Sequence, residues 1–395
     1  MTSSKPCARK DSDISAHRIL IVVGTRPEAI KMAPVVSALR AREPAVSVHV
    51  AFTGQHTTLV DRVLGAFDLR PDYELAIMTE GQTLYDVVHR TLDGLRDVVR
   101  QLNPDVVVVQ GDTATVFTAS LVGYFEGVPV AHVEAGLRSG HKRAPFPEEV
   151  LRRMTDVVAD FHFAPTVHAR ELLFSENVPA TSVHVTGNTV VDALLDVAGR
   201  LDAPSNETLR GLLADEGRRL ILLTAHRRES FGAPLRDVFG AVRTLADELG
   251  DVDVVYPVHP NPNVTGPAHE LLGAHPRIHL IEPLDYFDLV AVLKAASLVL
   301  TDSGGIQEEA PTFGTPVLVL REVTERPEGI EAGVAELVGT DPDRILSRAR
   351  AALGPRDRSA PPRNPYGDGR AGERIADILV SALTGVDRTT TDWDG

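Results

Sequence analysis

The segment TDSGGIQEEAP (301–311) follows the apolar run SLVL and opens a helical pattern. A strand, a Ser303-Gly304-Gly305 turn and a helix start expose unpaired backbone N–H groups at the positive end of a helix dipole, which suits phosphate oxygens. Glu309 lies one turn beyond Gly305 on the same face, where its carboxylate can accept hydrogen bonds from a ribose diol. Together these suit a nucleotide, although an ordinary helix N-cap with solvated glutamates gives the same pattern. GTRPEAIKMAP (24–34) comes directly after the first apolar run and lacks G-x-G-x-x-G, so nicotinamide and flavin have no fingerprint here. Arg26 stands at the mouth of that turn and Lys31 follows one turn later, and both can face a cleft. A solvated first turn is the plainer reading of Lys31 alone.

Acidic residues recur at strand ends: Asp112 in QGDTATVF, Glu134 in HVEAGLRSG and Glu148 in APFPEEVLRR. One such carboxylate is usually a cap or half of an ion pair. Three at the same edge of one sheet suit proton abstraction and return, because grouping and burial push carboxyl pKa values apart. TAHRRES (224–230) and YPVHPNP (256–262) place His226 and His259 after strands beside guanidinium groups, and His226 is the better placed to meet a diphosphate. Arg326, in REVTERPEGIEAG, has the planar fork that grips a diphosphate, or it forms a surface pair with Glu325 or Glu328. No H-x-x-x-H, H-E-x-x-H or cysteine set supports zinc, and no G-x-S-x-G supports a serine nucleophile. The chemistry rests on carboxylates, histidine and arginine.

These residues need strands to carry them. RILIVV (18–23), VSVHVAF (46–52), DVVVVQ (105–110) and VPVAHV (128–133) alternate with amphipathic stretches. After His162 a second series begins with RLILLT (219–224), VDVVYPV (252–258), RIHLI (277–281), SLVLT (297–301) and PVLVL (316–320). Continuous apolar strands separated by helices predict parallel sheets covered on both faces, hence two Rossmann-like, doubly wound α/β domains facing a cleft. The reading assigns 1–17 to a disordered leader, 18–190 to the first domain, 191–370 to the second and 386–395 to a disordered tail. The Gly-Asn turn in VTGNTVVDALL (185–195) marks the boundary, and a helix over about 371–385 is expected to cross back onto the first domain.

The 395 residues carry a formal net charge of −15, which argues against nucleic acid and anionic membrane surfaces as partners. A single cysteine, Cys7, cannot form an intrachain disulfide, and no run approaches a membrane span or a secretory h-region. The expected setting is the cytoplasm.

The ordered motifs GTRPEAIKMAP, TGQH (53–56), GDT (111–113), HVEAGLRS (132–139), PFPEE (145–149), TAHRRE (224–229), PVHPNP (257–262), TDSGGIQEEAP, TERPEG (324–329) and NPYGDGRA (364–371) resemble those of the bacterial non-hydrolysing UDP-N-acetylglucosamine 2-epimerases, from about residue 18 to 385. The resemblance implies a glycosyltransferase-B-like fold, a homodimer, no cofactor, and reversible conversion of UDP-N-acetylglucosamine to UDP-N-acetylmannosamine through a glycal. Carried over by motif, Asp112, Glu134, Glu148 and His226 are the catalytic set. Arg26, Ser303, Gly304, Gly305, Glu309 and Arg326 are the UDP contacts, and Lys31 joins them in the cleft. Family members bind a second UDP-sugar as activator through positions that here are Gln55, His56, Glu148, Arg227 and His259. This chain departs from the usual activator residues at Thr58, Gly81, Leu151 and Ser230, which puts that site in doubt. A hydrolysing 2-epimerase, an epimerase of a diacetamido UDP-sugar and a glycosyltransferase are the alternatives.

Overall fold

The computed structural model describes residues 16–54, 63–79, 81–204, 206–215, 217–354 and 364–395. The first sheet has seven strands in the order β3-β2-β1-β4-β5-β6-β7: β1 (His17–Val23), β2 (Val46–Phe52), β3 (Tyr73–Glu74), β4 (Val106–Gln110), β5 (Val130–Val133), β6 (Phe161–Ala164) and β7 (Val183–Val185). The second has six in the order β10-β9-β8-β11-β12-β13: β8 (Arg219–Thr224), β9 (Val252–Pro257), β10 (Ile278–Ile281), β11 (Ala296–Thr301), β12 (Val317–Val319) and β13 (Ala335–Leu337). Every strand pairing is parallel. That accounts for β1 and β4 being apolar without alternation: both faces are packed, and Ile19, Leu20 and Ile21 have no exposed surface.

Strand order reverses between β1 and β4 in the first sheet and between β8 and β11 in the second. Chain crossings leave a crevice at the carboxyl ends of such strand pairs, and ligands bind there in doubly wound folds. The four turns at those ends are GTR after β1, GDT after β4, AHRR after β8 and DSGG after β11. Four of the motifs singled out in the sequence therefore occupy the two switch points.

Between the sheets the chain turns at Gly187, whose φ of 86° is left-handed, and Asn188 caps the helix Thr189–Gly199 through its side chain. That helix packs on both the helix Arg26–Arg40 and the helix Tyr286–Ala295. The helix Ala371–Thr384 returns to lie against Arg26–Arg40, closely enough that a Cβ on Gly372 would stand 2.8 Å from the Pro34 carbonyl.

Two terminal assignments need correcting. β1 starts at His17, inside the stretch read as leader. The segment 386–395, read as disordered from its polar composition, is packed. The backbone N–H of Trp393 donates to the Val185 carbonyl (2.8 Å), Asp392 accepts from Val185 N (3.0 Å), and Trp393 is 3% exposed. Asp377 fixes the approach by accepting from Thr389 N and Thr390 N. One aromatic residue and an unpaired edge strand outweigh a polar composition. Short strands such as β6 and β7 also escaped notice, being too brief to show a period. Among the described residues no helix is long and apolar enough to cross a membrane, and no group of three or more His, Cys, Asp or Glu could hold a metal.

Candidate active site

The turn after β1 is locked by Glu28. Thr25 caps the helix Arg26–Arg40, and the Glu28 carboxylate accepts from Gly24 N (2.6 Å), Thr25 Oγ1 (3.1 Å) and Thr113 Oγ1 (3.0 Å). The turns after β1 and β4 are thus joined through one buried side chain. Burial pushes the Glu28 carboxyl up to about 7 in spite of those donors, with Asp112 adding to the rise. Arg26 is half-buried at the mouth of the turn.

Lys31, for which a solvated position was the plainer reading, is instead largely withdrawn from solvent between two carboxylates. Its Nζ lies 2.5 Å from Glu134 Oε2 and 3.8 Å from Glu308 Oε2. Burial opposes its charge, but Glu134 and Glu308 outweigh burial and push it up to about 12. Glu134 also accepts from Gln110 Nε2 at 2.6 Å, and its own φ is 68°. A non-glycine residue in that region carries strain of about 1–3 kcal/mol, a cost usually met where function fixes a side chain.

Asp112 is paired with Arg152, which lies one turn after Glu148 on the helix Glu148–Val158 and is itself buried. Arg152 also approaches Glu149 Oε2 at 3.6 Å, while Glu149 accepts from Ser139 N (2.9 Å) and Gly140 N (3.3 Å). Glu148 opens the helix, and its Oε2 is buried without a hydrogen-bond partner among the described residues. Asp112, Glu134 and Glu148 thus converge at the carboxyl edge of the first sheet, each in a different electrostatic setting.

Across the cleft, Asp302 organises the turn after β8. It accepts from His226 N (2.6 Å) and Arg227 N (2.8 Å), and its Oδ1 stands 3.4 Å from His226 Nδ1. The His226 ring stacks on His259 with centroids 5.4 Å apart and planes 10° apart. Burial first, then the neighbouring His259 and Arg227, lower the His226 pKa against the pull of Asp302.

Ser303 precedes the helix Gly304–Glu309 but makes no side-chain cap, so the ordinary N-cap explanation of this turn fails. A Cβ on Gly304 would lie 3.0 Å from Arg326 Cζ, so glycine there lets the guanidinium rest on the turn. Arg326 pairs with Glu308 (2.8 Å) and with Glu325 (2.9 Å), a partner the plainer reading named, but its side chain is only 12% exposed, so this is not a surface pair. The Glu325 carboxyl is held at about 2 by Arg326 and Arg321, despite its burial. Glu309 is pushed the other way, to about 8, chiefly by burial, with Glu308 adding and Lys31 opposing. A cavity of about 540 Å³ opens beside these groups, lined from both halves by residues including Arg138, His168, Arg227 and Thr324.

Sequence reasoning missed Gln110, Arg152, Asp302 and Glu308. The i, i+4 spacing of Glu148 and Arg152 was the available signal for one of them. Gln55 and His56, and Thr58 with them, lie outside the described residues, whereas Arg227 and His259 flank His226.

The family model "UDP-N-acetylglucosamine 2-epimerase" matches residues 38–380. A UDP-N-acetylglucosamine 2-epimerase of Bacillus subtilis (strain 168) is 47% identical, over 92% of this chain and 95% of its own. Among solved structures, a putative UDP-N-acetylglucosamine 2-epimerase from Listeria monocytogenes is 44% identical with a TM-score of 0.88, covering 96% of this chain and 100% of that one. The Neisseria meningitidis UDP-GlcNAc 2-epimerase bound to UDP-GlcNAc is 39% identical with a TM-score of 0.82, covering 92% and 100%. The facing Rossmann-like sheets, the motif-bearing turns at their switch points and these matches over nearly the whole chain lead to one assignment: the chain belongs to the UDP-N-acetylglucosamine 2-epimerase family.

Proposed function

We propose that the protein interconverts UDP-N-acetylglucosamine and UDP-N-acetylmannosamine without hydrolysis. A carboxylate takes the C2 proton, the C1–O bond breaks with its electron pair leaving on the UDP β-phosphate, and a C1=C2 glycal remains. UDP then re-adds at C1 while a proton is delivered to the opposite face of C2. The C2 hydrogen is weakly acidic, and loss of the anomeric diphosphate supplies the route that a redox cofactor would otherwise provide.

The observation that carries this reading is Lys31, whose ammonium bridges Glu134 of the acid–base edge and Glu308 of the nucleotide edge. Acid–base groups and diphosphate-binding groups are thereby held in one cleft. In this reading Asp112, Glu134 and Glu148 handle the C2 protons. His226, Arg26, Lys31, Arg326 and the Ser303–Gly305 turn hold the departing UDP, and Glu309 accepts from the ribose. The activator positions that the resemblance implies are, among the described residues, Glu148, Arg227 and His259. Closure of the cleft keeps the glycal and UDP together and water out.

The test is to incubate the protein with UDP-N-acetylglucosamine in deuterated water and follow products by NMR. Deuterium at C2 and both UDP-sugar epimers are expected, with little free sugar. Stoichiometric release of UDP and N-acetylmannosamine would identify a hydrolysing enzyme instead, and an unreacted substrate would end the reading.

A further inference from the structure

Behind the Asp112 turn lies a histidine to which none of the roles above applies. His132, on β5, has no exposed surface. Its Nδ1 is 2.6 Å from Asp156 Oδ1 and its Nε2 is 2.8 Å from the carbonyl oxygen of Gly111. A carbonyl oxygen can only accept, so Nε2 carries a hydrogen. Asp156 Oδ2 receives Arg138 Nη2 at 2.7 Å and Gly136 N at 3.3 Å, so that oxygen accepts twice, once from a guanidinium. The Arg138 guanidinium against Oδ2 favours the ionised carboxylate, which leaves Oδ1 to accept from the ring. Nδ1 must then donate as well, and the ring bears two hydrogens.

We infer that His132 is a buried imidazolium, held by Asp156, that positions the Gly111–Asp112 peptide for the reaction proposed above. Asp156 and Glu176 supply the negative charge around the ring: Arg138 bonds both, at 2.7 and 2.8 Å, and Arg153 approaches Glu176 at 3.2 Å. Gly111 stands at φ 87°, its N–H bonded to Val133 O (3.1 Å) and its carbonyl to His132, so two consecutive residues of β5 pin the peptide from both ends. The next residue is Asp112. Asp156 further holds the Glu134 turn through Gly136 N and Arg138. It lies four residues beyond Arg152 and eight beyond Glu148, so one stripe of the helix Glu148–Val158 serves all three carboxylate positions.

The test has a spectroscopic and a kinetic arm. In histidine-selective ¹⁵N NMR of the full chain near neutral pH, one histidine is expected with both nitrogens protonated and with a strongly downfield ring proton. Asp156→Asn removes that signature, because an asparagine amide can donate to Nδ1 of a neutral ring while the Gly111 contact stays. His132→Gln is expected to lower kcat about 100-fold with KM changed less than about threefold, the pattern of a misplaced reacting group. A neutral His132 in the wild type, a signature that survives Asp156→Asn, or full kcat in a folded His132→Gln would each overturn the inference. Wild-type protein that exchanges no deuterium into C2 would count against the epimerase reading alone, since the NMR arm needs no turnover.

Discussion

Two carboxyls at opposite sides of the cleft are displaced upward from the ordinary 4.5, Glu28 to about 7 and Glu309 to about 8. Both are fully packed, and burial is the largest cause in each. The sign of the consequence follows from proton counting. Between about pH 4.5 and the folded pKa the unfolded chain has released these protons while the native chain keeps them, so the native state binds more protons and stability falls as pH rises. The loss is complete once pH exceeds the folded value. Above about pH 6.5, where the lowered histidines His162, His184 and His226 no longer add stability with rising pH, thermal unfolding of the protein without nucleotide is therefore expected to give a Tm that declines toward pH 8, with Glu309→Gln flattening that decline. A Tm that rises across the window, or an unchanged slope in the variant, would contradict the placement of Glu309. Partners of this kind were hardly legible in the sequence. Arg152 and Glu308 gain meaning only once Asp112 and Lys31, far away in the chain, have been brought beside them.

At the scale of elements, the turn after β11 distinguishes two glycines that look alike in sequence. A Cβ at Gly304 meets Arg326 Cζ at 3.0 Å, whereas a Cβ at Gly305 finds its nearest such neighbour, Ser303 Oγ, at 4.0 Å. Gly304→Ala therefore requires the Arg326 guanidinium to shift by a few tenths of an ångström, and KM for the UDP-sugar is expected to rise, by up to about tenfold where that shift loses one charge-assisted hydrogen bond. Gly305→Ala has room in the protein alone and gains helix propensity, so its Tm should hold or rise. If the diphosphate approaches the backbone at this point, the same methyl collides with the ligand, and KM rises all the same. Steady-state kinetics beside thermal unfolding separates the two; a Gly305→Ala variant with unchanged KM would move the phosphate site elsewhere. These turns were legible because strand, glycine and helix start are adjacent in the chain. β7 and the helix Glu148–Val158 were not, since three residues show no period and the value of that helix lies in what its stripe touches.

At the scale of the molecule, two faces remain to be explained. The packed helices Ala114–Phe125 and Glu148–Val158 leave Phe125 66% and Val157 83% exposed, beside Tyr124 and Met154. Apolar side chains gathered on neighbouring helices mark an interface, and a second copy of the chain is the partner proposed here. Light scattering should give a dimer for the wild type and a monomer for Val157→Glu with Phe125→Glu; a dimer in both would place the interface elsewhere. The other face is the connection between the sheets, where the final residues act as a clasp. Trp393 seats against Gly187, and Arg374 donates to Thr186 O (3.1 Å) and Thr391 O (3.2 Å), so the tail and the turn share one guanidinium. Removing a buried indole costs about 3–5 kcal/mol. Trp393→Ala is therefore expected to lower Tm clearly. Thr389 N and Thr390 N bond Asp377, and Asp392 and the Trp393 backbone bond Val185, so kcat well below that Tm should stay within about threefold of wild type, the behaviour of a contact that stabilises without touching the transition state. A large fall in kcat with little change in Tm would instead mean that the clasp sets the angle between the two sheets, and that the connection at Gly187 and Asn188 moves during turnover.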